Sequence, residues 1–518
     1  MRIGIDVGGT NTDAALIDDD GKVLATVKSP TTQDVTGGVA AALAGLGATE
    51  VSAVMIGTTH FVNALVEAAR LEPVAAVRLG LPATAALPPL VDWPERLREV
   101  VEGATYLCHG GHEYDGTPIS ELDPGELRKV AADIRRRGLR SVAISSVFSP
   151  VSDDSEVRAA EILAAELGPG VHLSVSSEIG RVGLLARENA TIVNAALSRL
   201  AVRTVEAFGR ALRVAGIDAP LFLSQNDGTL MDVGHARRYP VLTFASGPTN
   251  SMRGAAYLSG LSDCAVVDIG GTTTDVGILA GGFPREAAGE ALVAEVRTNF
   301  RIPDVLSIGI GGGSVIAADG TAGPRSVGYR LTEQALVFGG STLTATDLAV
   351  AAGRAAIGDP GRVSEVSYAG PLKDIEARVA EAVDRMRTSP APLPVVLVGG
   401  GSILIDTLPG FADVRRPDHF EVANAVGAAI AQVGGEVDRV FSGPREAVLR
   451  EAKDEATARA ERAGARTGSV RIVDVEELPL AYLPGDATRV RVKAVGKTGH
   501  SVTYGNHGHG APAGTGVS

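Results

Sequence analysis

Cysteine is nearly absent. Cys108 and Cys264 are the two in 518 residues, too few for a disulfide framework, which excludes a stapled secreted scaffold and favours a cytosolic setting. Each adjoins apolar residues, "TYLC" and "CAVVD", where a small buried thiol is expected rather than a nucleophile. Positive charge is also scarce: Lys and Arg number 48 against 61 Asp and Glu, a formal net charge of −13. That excess disfavours nucleic acid and anionic lipid as partners unless a basic patch overrides it. The densest basic run, "RRRG" from Arg135, closes an amphipathic helix and reads as a solvated face. No apolar run approaches the roughly 18 residues of a membrane span, and the N-terminus enters a strand at once, without a signal-peptide pattern. A soluble, cytoplasmic protein is expected.

What is present is a repeat. "IGIDVGGTNTDAALID" from Ile3 returns as "VVDIGGTTTDVGILA" from Val266, with Asp6, Gly8, Gly9, Thr10, Thr12 and Asp13 recurring as Asp268, Gly270, Gly271, Thr272, Thr274 and Asp275. A repeat this far apart suggests two halves built on one plan. The chain is long enough for two or three domains. Three short strands open it, "RIGIDVG", "TDAALID" and "VLATVKSP", separated by turn residues. Buried apolar strands then alternate with helices, as in an α/β sheet covered on both faces. A long helix from about Arg187 to Val214 closes the first half. The second half contains the strand "PLFLSQNDG", the Gly-Pro loop "FASGPTNSMRG", the second hairpin, glycine-rich "SIGIGGGS" and "VVLVGGGS", and a helix in "EVANAVGAAIA". The expected divisions are 1–215, 216–444, a small α+β appendage over 445–497, and a disordered tail over 498–518. His507 and His509 in that tail read as exposed side chains rather than metal ligands.

A strand ending in Asp, followed by two glycines and a hydroxyl residue, suits a phosphate. Glycines bring backbone N–H groups against an anion, Thr hydroxyls add donors, and the Asp stands where a hydrated Mg²⁺ bridges phosphates. One copy reads first as a hairpin turn; two matching copies read as jaws around one polyphosphate. Asp6 and Asp268 are assigned to Mg²⁺, and Gly8, Gly9, Thr10, Gly270, Gly271 and Thr272 to phosphate oxygens. Thr12 and Thr274 are the outer parts, while Asp13 and Asp275 either join them or only fix the hairpins.

The jaws resemble the phosphate motifs of the actin, sugar-kinase and heat-shock-chaperone ATPase superfamily. The resemblance implies a duplicated ribonuclease H-like α/β fold with ATP and Mg²⁺ in a cleft between the halves. "VVLVGGGS" would be the adenosine motif, with Gly399, Gly400 and Gly401 beside the nucleoside; no Gly-Lys-Ser or Gly-Lys-Thr follows those glycines, so it is not a Walker loop. "ENATIVNAAL" and "ANAVGAAIA" would be closely packed hinge helices. "IGTTHFVNALVE", "FASGPTNSMRGA", "SIGIGGGS", "FGGSTLTATD" and "VGGGS", in this order with the two hairpins, resemble the hydantoinase/oxoprolinase family, A-type ATPase subunit, over roughly Met1 to Gly434. The resemblance implies ATP-dependent opening or carboxylation of small amides, lactams and ketones, often with a B-type partner subunit. Ending soon after Lys497, the chain is expected to lack the extra C-terminal domain of longer A-type subunits.

A lactam is a poor electrophile, and phosphorylating its carbonyl oxygen makes that oxygen a leaving group; catalysis is then mostly positioning and electrostatics. "GTTHFVN" offers Thr58, Thr59, His60 and Asn63 as acceptor contacts, or simply a helix N-cap. Asn226, Asp227, Asn250 and Arg253 join the cleft, or belong to a turn and a helix N-terminus. Gly311 and Gly312 are a second nucleotide contact or a turn. "GGSTLTATD" reads as a capped helix start around Thr344, Thr346 and Asp347. The expected protein is therefore an ATP-dependent cyclic-amide hydrolase, a homo-oligomer by size. A small-molecule kinase, a carboxylase subunit and a nucleotide-switch chaperone remain alternatives.

Overall fold

In the computed structural model, which describes residues 1–9, 11–30, 35–48, 50–287, 289–480 and 487–499, the two Asp-Gly-Gly segments form the turns of two β-hairpins built alike. Arg2–Val7 pairs antiparallel with Asn11–Ile17, setting Asp6 opposite Asp13. Cys264–Ile269 pairs antiparallel with Thr274–Ala280, setting Asp268 opposite Asp275. The turns close identically, Gly8 N donating to the Asn11 carbonyl at 3.0 Å and Gly270 N to that of Thr273 at 2.9 Å. Each first strand also takes a parallel neighbour, Ala53–Thr58 in one case and Val395–Val398 in the other. The duplicated plan expected from the repeat is thus present in register, not only in sequence.

Both hairpins lie in one compact unit, composed of Met1–Glu67, Leu200–Ala291 and Arg301–Val433. One of its sheets runs Leu230–Asp232, Leu221–Ser224, Ala53–Thr58, Arg2–Val7, Asn11–Ile17, Val23–Pro30; the other runs Phe283–Pro284, Thr274–Ala280, Cys264–Ile269, Val395–Val398, Val414–Arg415. The second sheet is covered on both faces. Met252, Ala255 and Ala423 pack with Val266, Leu279 and Val396 on one side; Leu348, Ile375, Val379 and Leu404 pack with Val267, Ile269 and Val276 on the other. Burial on both faces explains why these strands read as unbroken apolar runs.

"FASGPTNSMRG", expected as a loop, forms most of the helix Ser246–Ser259. Pro248 falls in the first turn, where its missing N–H breaks no helical bond. Glycine in the middle of a helix is normally unfavourable, but here it permits close packing. A Cβ on Gly254 would stand 1.8 Å from the Ala423 carbonyl oxygen, and one on Gly427 would stand 1.9 Å from that of Asn250. The helices Ser246–Ser259 and Ala423–Ile430 therefore touch backbone to backbone. Gly4 does the same for the first sheet, since a Cβ there would lie 2.0 Å from the Ala425 carbonyl oxygen.

The other unit comprises Ala68–Arg199, Leu292–Phe300 and Gly434–Ser518. Its parallel sheet runs Glu102–His109, Val74–Leu81, Ser141–Ser146, His172–Val175. Leu127, Val130 and Ile134 of the helix Pro124–Arg137, with Ile162 and Leu163 of the helix Asp154–Leu167, fill the core against it. Asp123 caps the first of these helices and Gly138 ends it in the left-handed conformation. Arg136 and Arg137 are exposed and pair with Asp133, as a solvated face should. The helix Arg445–Arg462 and the antiparallel strands Arg471–Pro479 and Thr488–Gly496 belong to this unit. Cys108 and Cys264 are free and buried, and burial pushes both thiols up to about 12, which disfavours the thiolate form. Residues 500–518, including His507 and His509, lie outside the described residues.

Candidate nucleotide site

The two hairpin turns offer open backbone. Nothing lies within 4 Å of a Cβ added to Gly9, and Gly270 and Thr272 are exposed; Thr10 lies outside the described residues. Behind these turns stand the strand-end carboxylates. Asp6 is 5% exposed, and its carboxyl is pushed up to about 6, first by burial and then by Asp13. Asp268 is likewise pushed up to about 6, chiefly by burial, with Asp275 and Asp13 adding repulsion.

Consecutive residues of one helix serve both carboxylates. Asn250 bears on Asp6 and Ser251 on Asp268, each favouring the ionised form. Gly57, opposite Asp6 in the parallel register, makes room: a Cβ there would come within 2.4 Å of Asp6 Oδ1 and 2.3 Å of Asn250 Nδ2. Asn424, from the other closely packed helix, donates Nδ2 to Asp6 Oδ2 and Asp13 Oδ2, both at 3.0 Å. Lys28, opposite Asp13 in the next strand, donates Nζ to Asp13 Oδ1 at 2.7 Å. Asp275 accepts from the Ser307 hydroxyl across its own strand pair.

A divalent cation fits this donor set through water. Among the described residues no group of three or more His, Cys, Asp or Glu side chains is arranged to ligate a metal directly. Yet Asp6 Oδ1 and both polar atoms of Asn250 are buried without a hydrogen-bond partner among the described residues, a deficit that a hydrated ion would relieve.

The other glycine motifs divide. Gly399, at φ 80°, lies against the second jaw: a Cβ there would meet Asp268 Oδ1 at 2.2 Å, and one on Gly401 would meet the Gly270 carbonyl oxygen at 2.8 Å. Gly400 between them is exposed. Gly311 and Gly312 instead buttress the second turn from behind. Gly312 N donates to the Gly270 carbonyl at 2.9 Å and Gly313 N to that of Gly271 at 2.7 Å, while the Thr274 hydroxyl is spent on the Ile310 carbonyl at 2.7 Å. Thr12, the counterpart of Thr274, is buried. The capped helix start is present: Thr344 and Asp347 form a capping box, and Thr346 donates to the Gly312 carbonyl.

Thr58, opposite Val7, stands beside the first turn; its hydroxyl accepts from His60 N at 3.2 Å, and its own N–H donates to Ser246 Oγ at 3.3 Å. The Asn63 amide donates to Thr59 Oγ1 at 3.3 Å. His60, Thr59 and Asn63 are half-buried on the helix His60–Val66 and its approach. Asn226 is not open to a ligand: its amide donates to the Val241 carbonyl at 3.1 Å and accepts from Ala245 N at 2.8 Å, framing the entry to the helix that carries Asn250. Asp227 accepts from Thr229 in the adjoining turn. Arg253 reaches away along the helix to the Gly282 carbonyl at 2.7 Å and covers Phe283. Of these candidates, Asn250 is the one brought to a strand-end carboxylate.

Sequence reading missed Lys28, Ser251 and Asn424 as parts of this site. Lys28 carried a local signal, a lone cation in an otherwise apolar and hydroxyl-bearing strand. Asn424 and Ser251 had none, because their meaning depends on a helix crossing.

Comparison with known proteins agrees with this architecture. Residues 2–167 match the hydantoinase/oxoprolinase N-terminal region and residues 187–359 match hydantoinase/oxoprolinase. The chain is 27% identical over 472 residues to caprolactamase subunit alpha of Pseudomonas jessenii, covering 83% of this chain and 65% of that one. It is 26% identical over 251 residues to the acetophenone carboxylase gamma subunit of Aromatoleum aromaticum, covering 46% of this chain and 34% of that one. The chain thus spans less than two thirds of the length of either relative. The crystal structure of the ATP-dependent caprolactamase from Pseudomonas jessenii superposes with a TM-score of 0.74 at 20% identity, covering 96% of this chain and 87% of that one, a likeness of fold. With matched regions that contain both hairpins and together cover more than half of the chain, this chain belongs to the hydantoinase/oxoprolinase family.

Proposed function

We propose that this chain is the ATP-dependent subunit of a small-amide hydrolase, acting on the carbonyl oxygen of a hydantoin, 5-oxoproline or related lactam. The observation that carries the reading is the pair of hairpins in identical register, whose carboxylates Asp6 and Asp268 are served by consecutive residues of one helix. ATP, when bound with Mg²⁺, supplies the phosphoryl group that turns the amide oxygen into a leaving group. The amides of Gly9 and Gly271 and the hydroxyls of Thr10 and Thr272 bind phosphate oxygens, while Gly8 and Gly270 shape the turns, their own amides being spent on the Asn11 and Thr273 carbonyls. Asp6 and Asp268 would hold the hydrated cation, and Asn424 keeps the Asp6 carboxylate oriented. Gly399–Gly401 leave space for the nucleoside. Thr58, Thr59, His60 and Asn63, beside the first turn, orient the acceptor amide in line; the gain is one of positioning.

The likeness to a carboxylase subunit favours a second reading, in which the acceptor is a ketone and the product a carboxylate. Both readings allow a B-type partner subunit, since the relatives are themselves subunits. The test is Mg²⁺-dependent phosphate release from ATP across hydantoins, 5-oxoproline, larger lactams and small ketones, with and without bicarbonate and a co-expressed partner. Release matched by ring-opened acid supports the hydrolase; bicarbonate-dependent release with a ketone overturns it in favour of the carboxylase.

A further inference from the structure

Lys28 is unexplained by the roles given so far. It sits on the third strand of the first sheet, Val23–Pro30, outside both repeated motifs. Its ammonium makes two hydrogen bonds, to Asp13 Oδ1 at 2.7 Å and to the Glu421 carbonyl at 3.2 Å. Its stem runs past the adenosine-motif turn, Cε standing 3.9 Å from where a Cβ on Gly400 would be. The charge is felt by Asp268 of the second hairpin, whose ionised form it favours. One side chain of the first hairpin sheet thus reaches Asp13, the Glu421 backbone, Gly400 and the field of Asp268.

We propose that Lys28 is a phosphate-binding residue of this site, an ammonium that turns from Asp13 onto the terminal phosphates of a nucleoside triphosphate. The proposal rests on the nucleotide reading above. Four carboxylates stand at the hairpins, Asp6, Asp13, Asp268 and Asp275, and a triphosphate brings about four more negative charges, of which a divalent cation offsets two. A further cation within reach is required, and Lys28 has the freedom to move: its side chain is 37% exposed, whereas that of Asp13 is 6% exposed. Lysine suits the role, because a compact charge on a four-carbon stem can exchange one oxygen partner for another without fixed geometry. When it leaves, Asp13 keeps the Asn424 amide as a donor. An ordinary structural ion pair would not require the stem to run along Gly400.

The test compares wild type, Lys28→Met, Lys28→Gln and Lys28→Arg for binding of Mg-ATP and of AMP by calorimetry, with melting curves taken without nucleotide. Lys28→Gln retains a donor for Asp13, so it guards against a folding defect in Lys28→Met. Loss of one charged contact predicts roughly tenfold or greater weakening of ATP in the Met and Gln variants, AMP affinity within about twofold, and partial recovery in Lys28→Arg. An ATP acyl-phosphate probe, in which a lysine amine attacks the acyl carbon and the nucleotide phosphate departs, should label Lys28, with ATP protecting it. ATP affinity unchanged in a folded Lys28→Gln, or equal losses for ATP and AMP, overturns the proposal alone. Failure of the wild type to bind ATP overturns the nucleotide reading and this proposal with it.

Discussion

Replacing Asp6 with Asn is expected to stabilise the protein above neutral pH while destroying the function of the site. Asp6 is nearly fully buried, and its carboxyl is raised from the ordinary 3.8 to about 6, by burial first and Asp13 next. Between those values the folded protein holds a proton that the unfolded chain has released. The stability this group contributes is therefore present below about pH 4 and is lost as pH rises through 6. A gap of about two units corresponds to about 3 kcal/mol. Asparagine has nearly the same shape, stays neutral at every pH, and can offer its amide to the unpartnered Asn250 Oδ1. The difference in stability between Asp6→Asn and wild type should thus be small at pH 4.5, grow to about 2–3 kcal/mol in favour of the variant by pH 7.5, and then level off. At roughly 2–4 °C per kcal/mol in domains of this kind, that is a shift of several degrees. Melting curves of both proteins from pH 4.5 to 8.5 measure it, and comparing the two cancels the titrating groups that do not interact with Asp6. Added Mg²⁺ and ATP should raise the wild-type transition and leave the variant's in place. A difference that does not change with pH, or a variant that melts below wild type at pH 8, would refute the reasoning.

Asp268→Asn should abolish Mg²⁺-dependent phosphate release, by roughly a hundredfold or more, in a protein that melts no lower than wild type at neutral pH, since its carboxyl is raised to about 6 as that of Asp6 is; undiminished release would remove the two-jaw model. Gly427→Ala forces a Cβ to within 1.9 Å of the Asn250 carbonyl, so the helices must separate at a cost of about 1–3 kcal/mol, and calorimetry should record weaker ATP binding because Asn250 moves with them. Thr344→Ala removes the capping box and should lower stability by about 1 kcal/mol, read as a lower melting transition, with ATP affinity unchanged. Gly399→Ala, at φ 80° and 2.2 Å from Asp268 Oδ1, should weaken nucleotide binding more than it lowers the melting temperature.

What could be read from the chain alone was whatever is local. Six of eight positions repeated between the hairpins identified the duplicated α/β plan, because a tight turn that exposes amides requires glycine at fixed offsets from the strand end. The order of the motifs identified the family for the same reason. The capping box at Thr344 and Asp347 was legible from short-range spacing.

Tertiary structure decided which polar residues meet. "FASGPTNSMRG" looked like a loop because Gly247, Pro248 and Gly254 punctuate it; as a helix it needs Gly254 and the facing Gly427 to bring two backbones together, and the partner glycine is not local. That crossing delivers Asn250 and Asn424 to Asp6 from distant parts of the sequence. It also separates Asn226, whose amide is consumed by the Val241 carbonyl and the Ala245 N–H, from Asn250, whose amide is left at the carboxylate. In sequence the two residues are the same polar side chain near glycine. Only burial and the direction of the neighbouring donors distinguish a group that holds the scaffold from one that faces the chemistry.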